Sequence, residues 1–194
     1  MSAPSIQEAL LNARAELIEG AGFSGAFTRK HGIDLAAIAG FGGAYGMMSI
    51  ADCGGGRFEF AAAEAGEQAF VFEAIGEDGE TVVDLVALPV SDPTRSLSMF
   101  GRCGLLGLWE AMGPATYFMG GVLDVRRTPL QWLQSGCKGA AIVTPSVAAR
   151  QLVETPGRLA VENHIHGREL VALLKTVIDI NSKVIVRQTA RRAA

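Results

Sequence analysis

Twice in the later half of this chain a short apolar run leads straight into Thr-Pro. "GVLDVRR" ends at Thr128-Pro129, and "GAAIVT" ends in Thr144 before Pro145. Threonine is a good N-cap, and proline suits the first helical turn, where a backbone N–H has no intrahelical partner anyway. Each pair therefore marks a strand handing over to a helix. "TPLQWLQSG" and "TPSVAARQLVE" are the expected helices, "NHIHGRELVALL" is a third, and "SKVIVRQ" reads as a final strand. That alternation predicts a mostly parallel sheet with covering helices.

The first half obeys a different rule. "SIQEALLNARAELIEG" reads as a helix, with Ser5 and Glu8 spaced as a capping box and Gly20 at its stop. A glycine-rich passage follows, with a short helical turn at "DLAAIAG". From Gly46 to Leu88, "YGMMSIA", "RFEFAAA", "QAFVFEAI" and "TVVDLVAL" are short, rich in Phe, Val and Ile, and divided by "CGGG", "EAGE" and "GEDGE". Arg57 and Glu59 alternate with Phe58 and Phe60, as on a strand with one wet face. Asp78-Gly79 is a hairpin signal, because both residues tolerate positive φ. An antiparallel meander is expected.

The fold class is thus α/β (or α+β): an N-terminal helix and antiparallel meander, then a mostly parallel β-α-β-α segment. The chain, 194 residues long, reads as a single domain with two sub-regions, 1–90 and 91–194. Their boundary is the polar stretch "VSDPTRSLS", and charge changes sign there. Residues 1–90 hold 4 Lys/Arg against 13 Asp/Glu; residues 91–194 hold 13 against 7. The glycine-interrupted passage "GRCGLLGLWEAMGPATYFMGG" fits neither helix nor strand cleanly.

Composition narrows the class further. Hydrophobic residues make up 49% of the chain and mean hydropathy is +0.27, which points to a buried contact in a homo-oligomer. The most apolar stretch is broken by Glu110 and Pro114, so no membrane span is expected. "MSAPSIQEALL" lacks the basic flank of an export signal, so the expected location is cytoplasmic. Cys53, Cys103 and Cys137 are odd in number and far apart, which argues for free thiols over a disulfide framework or zinc ribbon.

Most motif-like stretches fail on context. "GAGFSG" (Gly20 to Gly25) matches a dinucleotide loop by letter, but a helix precedes it where a strand is required. Ser24 resembles a nucleophile elbow without the closing glycine or the strand leading in. "CGGGR" at Cys53 reads as a turn. His164 and His166 are expected in the first turn of the third helix, capped by Asn163. Two apart on a helix, they diverge by roughly 200° and cannot chelate one ion. No metal site and no cofactor are expected, and nothing in the sequence pairs His31, His164 or His166 with a nucleophile. Asp124 and Arg126 share a strand face and read as a surface ion pair, and Trp109 and Trp132 as core anchors. Asp84 lies on the face of Val82, Val86 and Leu88, where it is either a buried functional carboxylate with raised pKa or a sign that the face is wet.

One constellation survives. If the two Thr-Pro strands are parallel neighbours, their carboxyl ends bring together Arg126, Arg127, Thr128, Thr144 and Ser146 beside two helix N-termini, with Arg187 of the last strand able to join them. Three functions follow. The first is a non-enzymatic binding protein whose basic half engages a phosphorylated small molecule or nucleic acid, although no dense basic run beyond "RQTARR" and no nucleic-acid motif supports the latter. The second is a homo-oligomeric assembly protein in which acidic and basic halves meet. The third is an enzyme on a small anionic substrate, with Asp84, His164 or His166 as acid or base and Arg127 as clamp.

Overall fold

The computed structural model describes residues 5–40 and 43–177. The strand expected at residues 182–188, and Arg187 within it, lie outside the described residues. Helix α1 (Ile6–Gly20) starts at the expected capping box: Ser5 Oγ accepts from Glu8 N, and Glu8 Oε2 accepts from Ser5 N at 2.8 Å. Helix α2 (Gly25–His31) sits within the glycine-rich passage, where no helix was expected. Helix α3 (Leu35–Ala39) follows, capped by the Asp34 carboxylate.

Strands β1 (Tyr45–Gly54), β2 (Arg57–Phe60), β3 (Glu67–Ile75) and β4 (Val82–Pro89) are the four expected β segments. Their pairing is antiparallel, but not in chain order. The long strand β1 pairs with both β2 and β3, and β3 pairs with β4. A two-residue strand, β5 (Leu97–Ser98), lies antiparallel to β4 and parallel to β2, and so closes a five-stranded barrel. The "CGGG" turn joining β1 to β2 needs glycine, since Gly54, Gly55 and Gly56 all have positive φ.

Alternation along the strands builds two cores at once. Met48, Ile50, Phe58, Val71, Leu85 and Leu97 face one way and pack with Leu10, Ala13 and Leu17 of α1. Phe70, Phe72, Val86 and Leu88 face the other way, toward α2, α3 and the second half of the chain. The barrel wall is thus buried on both sides, which explains the near-continuous apolar runs in β3 and β4.

The second half begins with β6 (Leu105–Leu106), α4 (Leu108–Met112) and a 3-10 segment, Pro114–Gly120, kinked at Phe118 and Met119. Then β7 (Val122–Arg126), α5 (Pro129–Gln134), β8 (Ala140–Ile142), α6 (Pro145–Glu154), β9 (Arg158–Val161) and α7 (His164–Lys175) alternate. The sheet order is β6-β8-β7-β9, with β8, β7 and β9 parallel and β6 antiparallel at one side. One face of this sheet packs under α6 and α7 through Leu123, Val125, Ala148, Leu152 and Leu170. The opposite side meets α5 and the outer barrel wall, where Trp109 and Trp132 contact edge to face at 6.1 Å. Among the described residues no helix is long and apolar enough to cross a membrane.

Candidate functional site

The two Thr-Pro strands are parallel neighbours: Val125 is opposite Ala140 and Arg126 opposite Ala141. Their carboxyl ends therefore lie on one edge of the sheet. Strand β9, which the sequence reading missed, runs parallel on the other side of β7, with Val125 opposite Val161. The chain leaves β7 toward β8 through α5, and returns past β7 to β9 through α6. Connections leaving in opposite directions open a crevice at the carboxyl ends of β7 and β9, the usual ligand position in open α/β sheets.

The five expected site residues occupy this edge in unequal states. The Thr128 hydroxyl is committed to its own helix, accepting from Gln131 N at 3.2 Å while Gln131 Oε1 accepts from Thr128 N. With only six residues in α5, that helix end has little dipole to offer. Thr144 stands at the cap position of α6, but its side chain makes no capping bond, and Ser146 is exposed. Arg126 donates to Asp124 Oδ2 at 3.3 Å, as its strand spacing led us to expect, and its buried Nε has no partner. Arg127 reaches across to α7, where Nη2 donates to Glu169 Oε1 at 2.7 Å. Gln131 and Glu162 close the crevice on the α5 side at 3.3 Å.

The third helix starts as its sequence predicts. Asn163 Oδ1 accepts from the backbone of Ile165 and His166, both at 3.0 Å. The two histidines diverge: His164 is exposed, and His166 is 4% exposed with its Nδ1 lacking any partner. They do not form a pair. Among the described residues no group of three or more His, Cys, Asp or Glu side chains is arranged to hold a metal ion.

Asp84 answers the question its position raised. It is fully buried, yet its face is neither wet nor open. Its carboxylate accepts from the Ser98 hydroxyl at 2.6 Å and from the backbone N–H groups of Leu85, Phe100, Arg102 and Cys103 at 2.7–3.0 Å. Five donors from the strand and the 98–103 loop converge on one side chain, which ties β5 and the start of the second half to the barrel. Asp84 is a structural hub, and no part of it is open to a substrate. A second buried carboxylate, Glu73, is held by Arg14 of α1 at 2.6 Å.

The remaining nucleophile and base candidates sit elsewhere. Burial pushes the Cys137 thiol up to about 12, with Asp34 adding to the shift. Burial, with Asp84 second, holds Cys103 well above the usual thiol range. Such thiols stay protonated and inert. Burial, and then the charge of Lys30, lowers His31, whose ring contacts Phe27 at 4.6 Å. Ser24 lies at the start of α2 with α1 before it, so the "GAGFSG" stretch has the wrong order for a dinucleotide loop, as read from the sequence. At the sheet edge Glu162 meets Gln131 and Glu169 meets Arg127. The signal for the strand that was missed, β9, was the short apolar run Leu159-Ala160-Val161 directly before the Asn163 cap.

No protein-family model, curated protein or solved structure matches this chain.

Proposed function

We propose that this chain is a binding protein that takes a phosphorylated small molecule at the carboxyl edge of β7, β8 and β9. One observation carries the reading. β7 and β8 run side by side in the same direction, so Arg126 and Arg127 leave the sheet on the edge where α6 begins, with the Thr144 hydroxyl making no capping bond. Guanidinium groups suit phosphate because their planar fork matches two oxygens at once. Among the described residues both arginines pair with partly exposed carboxylates, Asp124 and Glu169, in pairs of the kind that contribute little net stability. Exchange of a carboxylate for a phosphate is therefore a small rearrangement.

The test is calorimetric titration of the full chain with inorganic phosphate, adenosine monophosphate and a short DNA duplex, repeated over a salt series. Saturable binding of a small phosphorylated probe, weakened at least tenfold in the Arg126→Ala/Arg127→Ala double variant, is the expected result. Absence of binding by every probe at low salt removes the reading. Tight binding of the duplex alone, falling steeply with salt, replaces the small molecule with nucleic acid.

A second reading, self-association, has its own observation. Leu11 and Ile18, two turns apart on one face of α1, and Phe23 just beyond it are largely exposed, Phe23 at 88%. Light scattering at low and high salt tests it, and a monomer at every salt concentration counts against it.

A further inference from the structure

We infer that Arg127 and His166 together form the phosphate-binding pair, in the crevice between β7 and the first turn of α7; this deepens the reading above and rests on it. Leu123 and Val125 pack with Leu170 beneath α7, and Arg127, just past the end of β7, turns to the same side. Its contact with Glu169 of α7 agrees with that placement. His166 precedes Leu170 by four residues, so the two share the buried stripe of α7. The register puts Val161 opposite Val125, which brings the first turn of α7 level with the end of β7. His166 thus faces the sheet at the level where β7 ends, and the Arg127 guanidinium reaches the same helix at Glu169.

The backbone of α7 is not the recognition element, since Asn163 already occupies its first free N–H groups. What lacks a partner is the side chain. Nδ1 of His166 is shielded from water and unpaired, an arrangement that native proteins seldom leave without a reason. An N–H at that position needs an acceptor. Arg127, paired with Glu169 three residues after His166 on α7, marks that acceptor as an anion with more than one oxygen. A phosphate monoester supplies one oxygen to Nδ1–H and two to the guanidinium. Glu169, the present partner of Arg127, is then a competitor for the site, and Glu162 a second negative group at its rim.

Four variants of the full chain, titrated with inorganic phosphate and adenosine monophosphate, test the assignment. His166→Leu and Arg127→Gln each weaken binding at least tenfold. His166→Asn retains part of it, because the Asn amide nitrogen stands near the position of Nδ1. Glu169→Gln tightens binding severalfold, a gain that no merely structural role for these residues would give. In the 15N-labelled protein the His166 Nδ1 resonance shifts on saturation while that of His31 stays put. Binding that persists unchanged in all four variants, with an unmoved His166 resonance, overturns this pair but leaves an anion site near Arg126 and Thr144 standing. Absence of binding in the unaltered chain overturns both.

Discussion

Two buried polar side chains, one in each half of the molecule, were treated in opposite ways. Asp84 in the barrel wall receives five hydrogen bonds from its own chain, whereas Nδ1 of His166 in the α/β layer receives none. Burying a polar group without a partner is costly in either place. The barrel has met that cost internally, by folding the 98–103 loop around a carboxylate. The α/β layer has left it open, at the edge where open sheets bind their ligands. A polar group satisfied from within belongs to the architecture. One left unsatisfied at that edge is the group we propose meets a ligand.

The contrast breaks most readily in stability measurements. Asp84→Ala leaves three loop N–H groups and the Ser98 hydroxyl without their acceptor, and should lower unfolding stability in urea by more than about 3 kcal/mol. His166→Leu should stay within about 1 kcal/mol of the unaltered protein, since it removes a polar atom that had no bond to lose. Equal losses in the two variants would erase the distinction between hub and orphan.

The Thr-Pro pair offers a finer comparison inside the second half. Thr128 caps its helix through its hydroxyl and Thr144 does not. Replacement of Thr128 by alanine should cost about 1 kcal/mol, and of Thr144 only a few tenths. A larger loss at Thr144 would mean that its hydroxyl is occupied after all, which weakens its place in the anion site.

The smallest effect lies in the barrel, at the β3–β4 turn. Hydrogen bonds from the Thr81 hydroxyl and from the backbone of Glu80 and Thr81 hold the Asp78 carboxyl down at about 2, below its ordinary 3.8. The folded state therefore releases this proton more readily than the unfolded chain. Its contribution is complete above 3.8 and fades as pH falls toward 2. The stability difference between the unaltered protein and Asp78→Ala should follow that window in acid titrations. A difference that grows as pH falls would reverse the sign and discard the account.

Local chemistry made much of this readable in advance. Capping residues at Ser5, Thr128 and Asn163, the alternation in β2 and the turn at Asp78-Gly79 each act over a few residues, so spacing alone exposes them. The parallel pairing of β7 and β8 followed from the same grammar applied twice. What escaped was short: β5 has two residues, β9 four, and α2 seven in a glycine-rich setting. A two-residue strand carries no period, RLAV of β9 does not alternate as RFEF of β2 does, and both β5 and β9 gain their stability only from neighbours already in place. Missing β9 meant missing half of the crevice.

The amino-acid order by itself determined the α/β class, the helix starts and the arginines at the end of β7, because those depend on contacts between near neighbours. Tertiary structure alone decided that β1 would sit between β2 and β3, that Asp84 would be a hub, and that His166 would be left without a partner. Closure of a barrel and pairing across a crevice join residues dozens of positions apart, and no local preference specifies which distant groups will meet.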